Sequence, residues 1–214
     1  MKKTHLIGTF ILCAFIGSQD IAVAQKQLGA SATSPAPQFR DTSVFKPPSG
    51  IPVAVIEWED LECPACAQAF PIIHKAVAST AVPLIERDLL ISDHVWSAAA
   101  ARYARYLYDK VSPNLSVQYR GEVFVSQSNV VSREDLEKFT QTFFRRANIA
   151  LPSVLDPDGQ IQKEIDSDIA LAKQIGIRHT PTIIVVTQNH WIQVLDPALI
   201  NEAIAEAKRE AEHK

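Results

Sequence analysis

The chain has 214 residues, of which 47% are hydrophobic and 21% charged, and it carries a net charge of −3 at pH 7. That length suits one domain with a sizeable core, or a small domain carrying an insertion. The mild negative balance gives no reason to expect nucleic acid or an anionic membrane surface as a partner.

The first 24 residues read as an export signal: "MKK" is a positive start, residues 6–17 an apolar core, and "AVA" before Gln25 a small-residue cleavage site. The apolar run falls short of the roughly 20 residues a membrane helix needs, so cleavage is expected, with an uncleaved anchor as the alternative. Cys13 lies in the apolar core after "FIL", where a lipoprotein signal would have a small residue, and is read as lost with the peptide. Removal of 24 residues leaves 190 of the 214 and takes away Lys2, Lys3 and Asp20, so the net charge moves from −3 to −4. One disulfide is then possible, in a periplasmic or secreted protein whose compartment lets thiols oxidise.

Residues 25–51 are rich in Pro, Ser, Ala and Gly and show no apolar period. They are expected to form a flexible leader outside the core. Structure is expected to begin at "PVAVIEW", a β-branched apolar run that suits a buried strand. A helix from Pro64 to about residue 80 follows, and then a strand over residues 82–90. Next comes a helical block. "VWSAAAARYARYLYDK" has Trp96, Ala99, Tyr103 and Tyr106 at helical spacing, and "SREDLEKFTQTFFRRANI" opens with Ser132 and Asp135 as a variant capping box. Residues 160–175 repeat Ile161, Ile165, Ile169 and Ala172 and stop at Gly176, a C-cap residue. "PTIIVVT" and "HWIQVL" read as two strands joined by a polar turn, and a last amphipathic helix spans about 197–210. The order predicts an α/β domain over 52–212 with a helical insertion at about 93–158.

Two cysteines spaced as Cys63-Pro64-Ala65-Cys66, after a strand and at a helix start, point to thiol chemistry. The first sits at the positive end of the helix dipole, beside N–H groups without helical partners, which favours its thiolate. The second lies one turn in and can displace a mixed disulfide. Pro64 suits the first helical position because it has no N–H to lose. A zinc site would need two further ligands, and the chain has neither a second cysteine pair nor a close-spaced histidine pair, so no metal or other cofactor is expected. A purely structural disulfide would gain little from so short a loop. Asp60 and Glu62 are either solvated or cap the helix, and their charge would oppose thiolate formation at Cys63. Strand alternation either turns Glu57 inward beneath the cysteines, where it could take the proton of Cys66, or leaves it at an exposed edge. Pro181, just before a strand, is expected in cis, with the Thr180 backbone facing Cys63 and open to an extended substrate chain.

"CPAC" after a strand, Pro71 five residues past Cys66, and "TPT" before a strand together resemble the thioredoxin superfamily. The helical block between the second strand and "TPT" resembles its DsbA-like branch, in which a helical domain interrupts a thioredoxin fold. The likeness covers about 51–210. It implies that Cys63 is the nucleophile, Cys66 the resolving cysteine, Pro181 the cis-proline and Glu57 the buried acid. Two positions depart from the strongly oxidising members. Ala65 stands where they have histidine, removing one stabiliser of the thiolate, and Thr180 stands where they usually have valine.

An exported thiol–disulfide oxidoreductase is therefore expected, passing a Cys63–Cys66 disulfide to cysteines of unfolded secreted proteins. The family analogy implies a membrane partner that reoxidises it. A reductase or isomerase, motivated by Thr180 and Ala65, and a peptide-binding chaperone of the same fold are the alternatives.

Overall fold

The computed structural model describes residues 25–28 and 39–212; the expected signal segment, Cys13 included, lies outside the described residues. A five-stranded sheet is built from β1 (Gln25–Leu28), β2 (Ala54–Glu59), β3 (Leu84–Asp88), β4 (Thr182–Val186) and β5 (Trp191–Val194), in the order β1-β5-β4-β2-β3. β2 pairs parallel with β3 and antiparallel with β4, β4 pairs antiparallel with β5, and β1 runs parallel to β5. The helices are α1 (Pro64–Thr80), α2 (Ser97–Lys110), α3 (Pro113–Ser126), α4 (Arg133–Arg146), α5 (Gln160–Ile175) and α6 (Ile200–Glu212). The mixed α/β order with an all-helical block between β3 and β4 is the one the sequence predicts. The strands at 82–90 and 52–58 shorten to five and six residues once pairing sets their ends.

β2 is buried along its whole length, and its two faces meet different surroundings. Ala54, Ile56 and Trp58 join Ile175, Ile184 and Val186 on one side. Val53 and Val55 join Ile73 of α1 and Ile204 of α6 on the other. Further along that second face, at positions 57 and 59, the apolar side chains give way to carboxylates.

Local signals end the helices where expected. Ser132 caps α4 by accepting from the Asp135 N–H at 3.1 Å, and its hydroxyl donates back to the Asp135 carboxylate at 2.6 Å. Gly176 closes α5 at φ 89°, in the left-handed region that favours glycine. At the other end of α5 the Asp156 carboxylate accepts from the N–H groups of Ile161 and Gln162 at 3.1 and 2.9 Å. α3 has no clear apolar stripe, because its buried face carries Ser116, Tyr119 and Arg120 beside Val123 and Phe124. It packs closely on α1: a Cβ at Gly121 would stand 2.9 Å from the Phe70 ring.

The reading of residues 25–51 as a leader outside the core is corrected for 25–28 and 39–51; residues 29–38 lie outside the described residues. β1 lies at the sheet edge with Leu28 opposite Val194, and the Leu195 N–H donates to the Leu28 carbonyl at 2.8 Å. Phe45, 2% exposed, sits with its ring centroid 5.3 Å from those of Phe39 and Trp191. A few aromatic anchors hold such a segment without any repeat, so the absence of a period did not mean the absence of packing.

Candidate active site

α1 begins at the cysteines. Cys63 is its N-cap, with extended backbone at φ −80° and ψ 120°, and Pro64 fills the first helical turn without an N–H to satisfy. Cys63 is 8% exposed and Cys66 fully buried, one turn further in. Both thiols are unbridged. The Cys63 thiol is held down to about 5, chiefly by the hydrogen bond from Cys66. Burial works against that shift, while the N–H groups of Cys66 and Ala65 add to it. Burial pushes the Cys66 thiol far up, and the neighbouring Cys63 and Glu59 push the same way. The pair is therefore split into a ready thiolate and a shielded thiol.

The Thr180–Pro181 bond is cis, and the Cys63 thiol points at the Thr180 carbonyl with Sγ 3.5 Å away. Beside it runs a groove of about 440 Å³ lined by Ala65, Ile72, Thr180, Pro181, Leu195 and Pro197. Ile72 and Leu195 are partly exposed on its walls. An extended chain crossing Cys63 would find backbone partners at Thr180 and an apolar trough next to them.

The acidic residues before Cys63 take roles the local sequence did not disclose. Asp60 accepts from the N–H groups of Glu62 and Ile91, each at 2.8 Å, and its carboxylate lies 2.9 Å from His94 Nδ1. Glu62 accepts from the N–H groups of Val95, Trp96 and Ser97 at 3.0, 2.7 and 2.9 Å. Neither caps α1. Glu62 instead caps α2, so its charge is met by the positive end of another helix rather than being set against Cys63.

Glu57 turns inward and is 0% exposed, and neither carboxylate oxygen has a hydrogen-bond partner among the described residues. Burial, with Glu59 and Glu86 nearby, raises it well above the usual carboxylate range. Glu59, two residues on and therefore on the same face, was not singled out from sequence. Burial lifts it to about 8 against the pull of Arg120, whose Nη1 lies 2.5 Å from its Oε1. Arg120 of α3 also reaches Asp88 at 3.2 Å, and Arg105 of α2 donates to Asp88 at 2.7 Å and pairs with Asp168 of α5. A cavity of about 210 Å³ opens onto this cluster. The spacing of Glu57 and Glu59 hinted at a shared carboxylate face, but no local signal could have found Arg120. Gln127 was missed as well: its side-chain amide donates to the carbonyls of Leu61 at 2.8 Å and Cys63 at 3.1 Å.

A family model described as thioredoxin matches residues 50–205. No curated protein matches the chain. Among solved structures it is similar to α-DsbA1 of Wolbachia pipientis, with a TM-score of 0.64 and 18% identity over 80% of this chain and 96% of that one. Reduced DsbA1 of Neisseria meningitidis aligns with a TM-score of 0.56 and 17% identity, over 78% of this chain and 88% of the other. ScsC of Proteus mirabilis gives a TM-score of 0.59 and 14% identity, over 78% and 72%. At these identities the likeness shows the fold, a thioredoxin fold with a helical insertion.

Proposed function

This chain belongs to the thioredoxin family, and we propose that it is an exported thiol–disulfide oxidoreductase that donates its Cys63–Cys66 disulfide to cysteines of unfolded secreted proteins. The observation that carries the reading is the unequal pair: Cys63 caps α1 with Sγ facing the Thr180 carbonyl at the lip of an apolar groove, and Cys66 is buried behind it. A substrate thiolate attacks Cys63 Sγ, the Cys63–Cys66 bond breaks, and the electron pair leaves on Cys66. Cys66 then takes a proton from the buried carboxyls at Glu57 and Glu59. A second substrate thiolate attacks the substrate sulfur of the mixed disulfide, and Cys63 leaves as a thiolate. The substrate loses two electrons and the dithiol gains them. A stabilised leaving thiolate favours the reduced protein and hence the donor direction, although Ala65 withholds the histidine of the strongest oxidants. Restoring the disulfide requires an oxidant, for which a quinone-linked membrane protein is the partner we propose.

The test mixes oxidised protein with a reduced, unfolded polypeptide carrying two cysteines and follows the products by mass. Stoichiometric substrate disulfide and reduced protein are expected, with no transfer by Cys63→Ser. Retained suppression of aggregation by the Cys63→Ser, Cys66→Ser double variant, together with no exchange by the parent, would replace this reading with the chaperone.

A further inference from the structure

The loop 60–63 joins β2 to α1 and delivers Cys63, yet it belongs to neither element. Within it the Cys63 N–H bonds to the Asp60 carbonyl at 3.0 Å and the Glu62 N–H to the Asp60 carboxylate at 2.8 Å. Apart from the Cys63 thiol facing Thr180 and the Cys63 carbonyl in the first turn of α1, its outward ties run to the segment after β3 and to the helical insertion. Glu62 holds the start of α2 and Asp60 the segment before it, and from the middle of the insertion Gln127 reaches back to the carbonyls of Leu61 and Cys63. Gln127 follows α3 directly, on a tight turn closed by the Val130 N–H to the Ser126 and Gln127 carbonyls. Val130 is itself buried in the cluster that holds Leu61, Cys63 and Trp96. The amide is thus fixed from behind. Both of its hydrogens point into the residues that carry the reactive sulfur.

We propose that Gln127 is a positioning residue for Cys63, through which the helical insertion sets how oxidising the dithiol is. A primary amide donating to these carbonyls brings the positive end of its dipole to the loop on which negative charge develops as Cys63 leaves a mixed disulfide. It also holds the Cys63 carbonyl, which already accepts the Ala67 N–H at 3.1 Å, so that Sγ stays turned toward Thr180 and the first N–H groups of α1. With Ala65 beside the second cysteine, the C-x-x-C dipeptide supplies no side-chain donor of its own. Gln127 supplies donors from 64 residues away. The inference rests on the dithiol reading above.

The experiment compares Gln127→Met, which keeps the length and removes both donors, with Gln127→Glu, which replaces them by an acceptor. Arg133→Ala is the control, because Arg133 ties the same corner by donating to the Val95 carbonyl at 2.7 Å without touching the dithiol loop. Thiolate absorbance against pH and the equilibrium with glutathione are measured for the reduced, full-length mature protein. Gln127→Met is expected to lower the thiolate fraction below the titration midpoint about three-fold and to shift the glutathione equilibrium toward the disulfide by a similar factor. Gln127→Glu is expected to do more, and Arg133→Ala to lower the melting temperature alone. A parent that exchanges with glutathione while neither Gln127 variant moves either curve would overturn the inference and leave the dithiol reading standing. A parent that does not exchange at all would overturn both.

Discussion

One face of the central sheet carries two regions of opposite character. Under α1 and α6 it is apolar, with Val53, Val55, Ile183, Val185 and Val194 packed on Ile73, Ala203 and Ile204. A few residues further along, beneath the insertion, it is ionic, with Glu59, Glu86 and Asp88 facing Arg120 and Arg105 and Glu57 buried beside them. The first region gains free energy from every side chain it removes from water. The second gains only while its charges are matched, and an unmatched member costs more than a missing methyl group. That difference suits the two tasks. The apolar half fixes the platform, and the ionic half keeps the Glu59 carboxyl near the buried Cys66.

The largest effect that would break this comparison is expected at Arg120. Arg120→Met removes the partner of buried Glu59 and one of the partners of Asp88 and Glu86, so denaturant unfolding should show a loss of about 4 kcal/mol. A loss below about 1 kcal/mol would mean that the ionic half is not held by its pairing. Ile73→Ala, the matching cut in the apolar half, should cost about 3 kcal/mol by the same assay, with thiolate titration unchanged.

The buried carboxyls make stability depend on pH. Burial holds Glu59 at about 8 in the folded chain against an ordinary value of 4.5. The folded state binds that proton more tightly, so the stabilisation is complete below about pH 4.5 and is lost as pH rises through about 8. Glu57 is raised in the same direction. Melting of the oxidised protein should therefore fall from pH 5 to about 8, and Glu59→Gln should flatten the curve. Cys63 acts with the opposite sign in the reduced protein alone. Held at about 5 against 9.0, its contribution is present above about pH 9 and is lost as pH falls through about 5. The difference between reduced and oxidised stability should accordingly grow across that window; a constant difference would remove the stabilised thiolate. The smallest effect is expected at Glu62. Glu62→Gln keeps the side chain's shape but weakens the α2 cap, for about 1 kcal/mol.

What could be read beforehand follows the same division. α1, α5 with Gly176, and the two strands after Pro181 were legible because a C-x-x-C, an isoleucine repeat or a β-branched run states its structure within a few residues. The inward turn of Glu57 was open from alternation alone, since a carboxylate on a strand is more often at an edge. Glu62 misled because its nearest sequence neighbour is Cys63, whereas its partners lie 33 to 35 residues away. Arg120 and Gln127 were invisible for that reason too, their partners standing 32 to 66 residues off in sequence. Phe39 and Phe45 were hidden by company: aromatic anchors in a Pro- and Ser-rich stretch leave no period to detect.

The most direct test of the central claim, that a stabilised Cys63 thiolate makes this dithiol a donor, is its reduction potential in glutathione buffers. A value well above the about −270 mV of thioredoxin, short of the about −120 mV of DsbA because Ala65 supplies no donor, is predicted; one near that of thioredoxin would contradict it and favour a reductase or isomerase.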